Sequence, residues 1–322
     1  MQEPASQANI PEMAALSMGF YLPPAKGRPS NTGSRVRDGV PPHLRQATAH
    51  QNNMQSFPDF LIIGAQKCGT TWLHECLSCH PGITMPGNKD GGFFCYEATR
   101  TERALADYAE QFADQPASGD LRGESTAAYF WTPSGSEWDH KPPGFEGSIP
   151  ERVRETLGPE TRLLLCLRNP VERAVSAWFH HVRQGDLDPA TPLLDAGDFM
   201  GLIDMGFYAR HLRNWLAVFP IDSFCILILE DDIARMPAGT IRRVYRFLGV
   251  HDTFLPRGLS IRAYTGPDRL RTREGIRASI GSNGERLLVD GGTLAQLATI
   301  YREDVGELED LLGRDVRRLW RF

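Results

Sequence analysis

Neither sign of charge dominates this chain: 35 lysines and arginines stand against 40 aspartates and glutamates, a formal net charge of −5. Without a global basic field nucleic acid is not an expected partner, and any bound anion must be held by local groups. Cysteine is sparse as well. The six, Cys68, Cys76, Cys79, Cys95, Cys166 and Cys225, fall mostly in expected strands or helices rather than at loop crossings, which argues against a disulfide framework and for reduced thiols. Cys76 and Cys79 form a C-x-x-C flanked by His74 and His80. No second pair follows, and the spacing falls inside an expected helix, so no metal is expected there. Long apolar runs are missing too. Met13 to Leu22, between Pro11 and Pro23, lacks a basic leader and a small-residue cleavage site and is too short to span a bilayer. Residues 1–56 carry much Pro, Gln, Asn, Ser and Ala and few aromatics, so they read as a disordered or loosely draped extension. Residues 57–322 suit one α/β domain.

What the chain does have is a stretch built for phosphate. Phe60 to Leu73, FLIIGAQKCGTTWL, runs an apolar strand through a loop bounded by Gly64 and Gly69 into a helix opened by Thr70 and Thr71. The helix N-terminus offers free N–H groups to an anion, and Lys67 adds charge at the same spot. A nucleoside-triphosphate loop reads G-x-x-x-x-G-K-[ST], with its lysine after the second glycine. Lys67 precedes Gly69, so this is a different loop.

About a hundred residues later the pattern repeats in RLLLCLRNPVERAVSAW, Arg162 to Trp178. A buried strand, Leu163 to Leu167, ends at Arg168; Asn169 is the expected N-cap and Pro170 the first residue of an amphipathic helix. A third apolar strand begins at Phe224 and runs into an acidic turn, Glu230 to Asp232, before a helix from Pro237 to Val250 closed by Gly249. Gly206 to Pro220 has helical spacing, with Tyr208, Leu212, Trp215 and Leu216 on one face. Strands followed by helices predict a mainly parallel, doubly wound α/β sheet with helices on both faces and ligands beyond the carboxyl ends of its strands. Residues 131–150, 185–205 and 251–285 read as loops or lids, the usual seat of acceptor selectivity.

The loop resembles the 5′-phosphosulfate loop, G-x-x-K-x-G-T-T, of sulfotransferases that use 3′-phosphoadenosine 5′-phosphosulfate (PAPS), with Gly64, Lys67, Gly69, Thr70 and Thr71 at the matching positions and Cys68 within it. The resemblance implies a P-loop-like sulfotransferase fold. It also implies that Arg168 and Ser176, eight residues on, bind the 3′-phosphate, for which a forked guanidinium and a hydroxyl are suited. Trp72 either stacks on adenine or fills the core. LRGESTAAYF, Leu121 to Phe130, resembles the E-x-[ST]-x-x-Y-F segment of the glycosaminoglycan sulfotransferases, which makes Glu124 the base that takes the acceptor proton. GNKDGGFFCY, Gly87 to Tyr96, resembles their K-E-x-H-F-F segment, with Lys89, Phe93 and Phe94 matching, Asp90 in place of glutamate and Gly92 in place of histidine. Lys89 is then a neutraliser of transition-state charge.

His180 and His181 are the competing bases, expected from their helix position to point away from the sulfuryl group. A late basic cofactor loop of the heparan-type enzymes is missing; SIRAYTGPDRLRTR, Ser260 to Arg273, occupies its place, with Arg262 and Tyr264 as candidates. Tyr301 to Trp320 looks like the family's C-terminal helix. The family resemblance implies transfer of a sulfuryl group to a sugar or small-molecule hydroxyl, release of 3′,5′-adenosine bisphosphate, no metal and, without the anchor of the animal carbohydrate enzymes, a cytoplasmic location. A nucleotide-dependent kinase and a catalytically idle nucleotide-binding protein are the alternatives.

Overall fold

Strand β1, Phe60–Gly64, is buried along its whole length, as an apolar run flanked by strands on both sides must be. The computed structural model describes residues 57–322 apart from 88, 114–120, 134–143, 146, 197–198, 260–268 and 281–284. The expected extension over residues 1–56, and with it the domain boundary, lies outside the described residues.

Around β1 the sheet is assembled from β2 (Ile83–Thr84), β3 (Leu121–Ser125), β4 (Arg162–Leu167) and β5 (Phe224–Ile228), in the order β2-β3-β1-β4-β5. Every pairing is parallel, so the carboxyl ends of all five strands open on one side. Helices α1 (Thr70–Ser78), α2 (Glu102–Ala113), α3 (Ile149–Leu157), α4 (Pro170–Gln184), α5 (Tyr208–Leu216) and α6 (Pro237–Leu248) are packed around it. The parallel α/β architecture expected from the sequence is the one observed.

The caps follow the sequence closely. Asn169 Oδ1 accepts the N–H groups of Val171 and Glu172 at 3.0 and 3.3 Å to start α4, and Gly249 ends α6 in the left-handed conformation, φ +75°. The acidic turn after β5 is a π-helical segment, Leu229–Ile233, in which Asp232 Oδ2 accepts the N–H of Ile228 at 2.7 Å.

Two expectations need correction. Residues 251–285, read as loop, contain β6 (Arg269–Arg271) and β7 (Gly275–Ile280), which pair antiparallel with each other, and β7 pairs in turn with β8 (Glu285–Asp290). The signal was an alternation: Ile276 and Ala278 are buried while Arg277 between them is partly exposed, and the interleaved arginines disguise a half-buried strand as a polar loop. The last long helix is α7, Gly291–Leu312, starting ten residues before Tyr301, with Asp290 as its N-cap. Gly313, at φ +60°, stops it, and a separate short helix α8, Val316–Trp320, follows.

Asp304 of α7 is buried and accepts the N–H groups of Ala209 and Arg210 in the first turn of α5, at 3.0 and 3.1 Å. Burial pushes its carboxyl up to about 6, against the pull of those two backbone donors. A raised pKa means that the fold favours the protonated form, so this contribution to stability is present below pH 4 and is lost as pH rises through about 6. Asp304→Asn is therefore expected to lose less stability than the unaltered chain between pH 5 and 7.5, by roughly 1–3 kcal/mol in urea unfolding. Parallel profiles for the two proteins would show that Asp304 does not titrate there.

Candidate active site

The turn between β1 and α1 is held by its neighbours. Ala65 N–H donates to Cys166 O at 2.7 Å, tying it to β4. Gly64 has φ +150°, and a Cβ there would lie 2.7 Å from both Ala127 O and Phe130 Cβ, so the backbone can pass this close only without a side chain. Lys67 is itself left-handed, φ +67°. Gly69, φ +100°, is the N-cap of α1 and supplies no side-chain acceptor, which leaves the first-turn N–H groups directed at the space beyond the sheet. Thr70 is buried and Thr71 exposed.

Cys68 turns inward. Its Sγ lies 3.5 Å from Tyr208 Oη, and burial pushes the thiol up to about 11, so it stays protonated and packs. Trp72 is 0% exposed and donates from Nε1 to Leu259 O at 2.9 Å. Its side chain lies in the core and ties α1 to Leu259.

Arg168 leaves β4 beside this turn. Its Nη1 donates to Lys67 O and its Nη2 to Glu172 Oε2, both at 3.4 Å. Its side chain is 18% exposed, and its Nε is buried with no hydrogen-bond partner. Glu172 also accepts, on Oε1, from Arg271 Nη2 at 2.6 Å. One carboxylate thus holds two guanidiniums, one from α4's threshold and one from β6. Arg271 is a residue that the sequence reading passed over within SIRAYTGPDRLRTR; Arg262 and Tyr264, chosen there, lie outside the described residues. Ser176 is buried on the same helix as Glu172.

On the other side of β1, Lys89 donates to Thr71 Oγ1 at 3.2 Å and pairs with Asp90 Oδ2 at 3.3 Å. Lys89 is thereby joined to the first turn of α1, as Arg168 is joined to the turn before it through Lys67 O. Asp90 is fixed by its own backbone as well: its N–H donates to Ser125 O at 2.7 Å, and Oδ1 accepts from Ala127 N at 2.9 Å. Its side chain is nonetheless 33% exposed.

Glu124 is in a different state. It is 6% exposed and accepts from three hydroxyls: Tyr108 on Oε2, and Thr126 and Tyr129 on Oε1 at 2.9 and 2.5 Å. Burial raises its pKa, and the three donors oppose that shift. Such a carboxylate joins β3 to α2 and to the segment after β3, with three donors on its two oxygens.

The histidines divide. His181 is buried, with Nδ1 3.0 Å from Asp186 Oδ2. His180 is partly buried, with its ring 5.3 Å from that of His181; burial, and then neighbouring positive charge including that of Lys67 and Lys89, pushes its imidazole down to about 3. The C-x-x-C does not converge: Cys76 is buried and Cys79 exposed. His80 is engaged by Gly82 N–H at 3.1 Å and by His251 O at 2.9 Å. Among the described residues no group of three or more His, Cys, Asp and Glu could hold a metal ion, and no helix is long and apolar enough to cross a membrane.

This geometry has relatives. Residues 58–253 match the profile of the sulfotransferase family. Mouse heparan sulfate glucosamine 3-O-sulfotransferase 6 is 30% identical over 236 residues, covering 70% of this chain and 61% of the mouse protein. The human protein of the same name is 29% identical over 260 residues, 74% of this chain and 69% of its own length. The match thus spans less than two thirds of the mouse relative. The crystal structure of a sulfotransferase from Alicyclobacillus acidocaldarius superposes with a TM-score of 0.61 at 25% identity, over 83% of this chain and 99% of that one. With a phosphate-type loop at the end of β1, an arginine at the end of the adjacent β4 and a profile that matches more than half of its length, the chain belongs to the sulfotransferase family.

Proposed function

We propose that this chain transfers a sulfuryl group from PAPS to a hydroxyl of a sugar or small-molecule alcohol and releases 3′,5′-adenosine bisphosphate. The observation that carries the reading is the uncapped N-terminus of α1, with Lys89 bonded to its Thr71, at the end of one strand and Arg168, with its buried, unpartnered Nε, at the end of the next. Donors and cations so placed suit a nucleotide with phosphates on both the 3′ and 5′ oxygens.

Bound PAPS supplies an activated sulfuryl group. Lys67, Thr70, Thr71 and the first-turn N–H groups of α1 hold the 5′ side and stabilise charge as the leaving phosphate departs. Arg168 and Ser176 hold the 3′-phosphate, and Arg271, joined to Arg168 through Glu172, adds the cationic cover expected from a late basic segment. Lys89 touches both Thr71 and Asp90, so it can neutralise charge on the group in transit. Protein cations and backbone donors thus do the electrostatic work.

For the base we favour Asp90 over Glu124. An acceptor hydroxyl needs a carboxylate oxygen that it can reach. Asp90 is partly exposed beside Lys89, whereas Glu124 is buried under three hydroxyl donors. The sequence already held the signal, a carboxylate adjacent to the lysine in the same segment.

Asp90→Asn keeps the Oδ1 acceptor for Ala127 N and is expected to lower kcat by 10²-fold or more, on the order of a general-base contribution, with bisphosphate affinity changed less than about twofold. Glu124→Gln is expected to lower thermal stability more than turnover; the opposite ranking would return the base to Glu124. His180→Gln should leave the acid limb of the pH–rate profile in place, because an imidazole pushed down to about 3 is already neutral across it. Calorimetry with 3′,5′-adenosine bisphosphate, with ATP and magnesium as the comparison, tests the nucleotide. Binding that Arg168→Ala abolishes is the expected result, and preference for Mg-ATP would replace sulfuryl transfer with kinase chemistry.

A further inference from the structure

Arg168 is the single residue between the end of β4 and Asn169, the N-cap of α4. Every polar group of Asn169 is spent on a fixed partner: Oδ1 caps α4, the carbonyl accepts Arg173 N–H at 2.9 Å, the backbone N–H donates to Glu230 Oε1 at 3.0 Å, and Nδ2 donates to Trp320 O at 3.0 Å. Trp320 then closes the ring by donating from Nε1 to Glu230 Oε2 at 3.1 Å. Three elements meet in this ring: the start of α4, the π-helical segment after β5, and α8. Glu230 is held on both oxygens, and Trp320 is 151 residues from the asparagine it binds.

Helix α8 has five residues, too few to persist alone. It is anchored instead by contacts on either side of the ring. Arg314, just before it, donates to Asp232 Oδ2 and Asp231 Oδ2 at 2.8 and 2.9 Å, and Arg317 within it pairs with Glu309 of α7. The Trp320 indole is buried, with its centroid 6.2 Å from that of Tyr208, and Tyr208 is the partner of Cys68 in the phosphate-type turn. The ring also reaches Arg168 by a second route: Asn169 Oδ1 holds the N–H of Glu172, whose carboxylate joins Arg168 to Arg271.

We propose that Glu230 and Trp320 are positioning residues for the 3′-phosphate half of the nucleotide site, fixing Asn169 and through it the guanidinium of Arg168. This rests on the reading of Arg168 as the 3′-phosphate ligand. Neither residue touches the nucleotide; their effect is confined to the phosphate that Arg168 holds.

The test compares two ligands, 3′,5′-adenosine bisphosphate and adenosine 5′-phosphate, which lacks the 3′ group, by calorimetry on the full chain. Trp320→Phe keeps an aromatic ring and removes the Nε1 donor; Glu230→Gln keeps one acceptor and removes the charge. Each is expected to weaken bisphosphate binding about tenfold, the scale of one charge-assisted hydrogen bond, and adenosine 5′-phosphate binding less than about twofold. The double variant should be no weaker than the worse single one, because the ring is already open. Equal loss of both ligands, unchanged bisphosphate binding, or additive losses in the double variant would each overturn the proposal. If Trp320→Phe does not fold, Glu230→Gln decides it by the same ligand comparison. An Arg168→Ala variant that loses both ligands alike would overturn the 3′-phosphate assignment itself, and the positioning role with it.

Discussion

A left-handed lysine between two conformationally special glycines is a costly backbone, of order 1–3 kcal/mol for the non-glycine residue alone, and everything near the site serves to hold it. The segment after β3 donates to β1 from Thr126 N to Ile62 O at 3.0 Å and from Phe130 N to Ile63 O at 2.7 Å. On the opposite side, β4 accepts Ala65 N–H. Cys68 rests against Tyr208, and a Cβ on Gly69 would lie 2.9 Å from Leu229 Cδ1. A turn braced from four directions presents its N–H groups without reorganisation, which is what electrostatic stabilisation of a departing phosphate requires.

The two carboxylates near β3 illustrate how environment divides labour between similar groups. Glu124 accepts hydroxyls from α2 and from the segment after β3, and Tyr108 stacks on Phe93 with centroids 4.1 Å apart. It therefore locks the aromatic base on which residues 89–94 lie. Asp90 rides on that base, pinned through its backbone and one oxygen to the chain at Ser125 and Ala127. The buried acid keeps the exposed one in place.

Much of this was legible in the residues. Apolar runs before glycine or arginine marked β1 and β4, and Asn169-Pro170 marked the start of α4, because a cap and a preset φ are local signals. Glu124 was singled out by its motif, but a motif does not say whether a carboxylate faces solvent or three hydroxyls; that depends on Tyr108, from a helix that only the fold brings near. Arg271 was hidden because its strand alternates arginine with apolar residues and so reads as a basic loop. Trp320 and Glu230 could not be paired from sequence at all, since nothing local links two positions ninety residues apart.

Glu172 shares one carboxylate between Arg168 and Arg271. Two guanidiniums brought together without an anion would repel each other; the shared carboxylate offsets that repulsion and couples the placement of one arginine to that of the other. Through this one side chain in the first turn of α4, the end of β4 and the edge of the small antiparallel sheet answer to a single charge, so a change at either arginine is felt at the other.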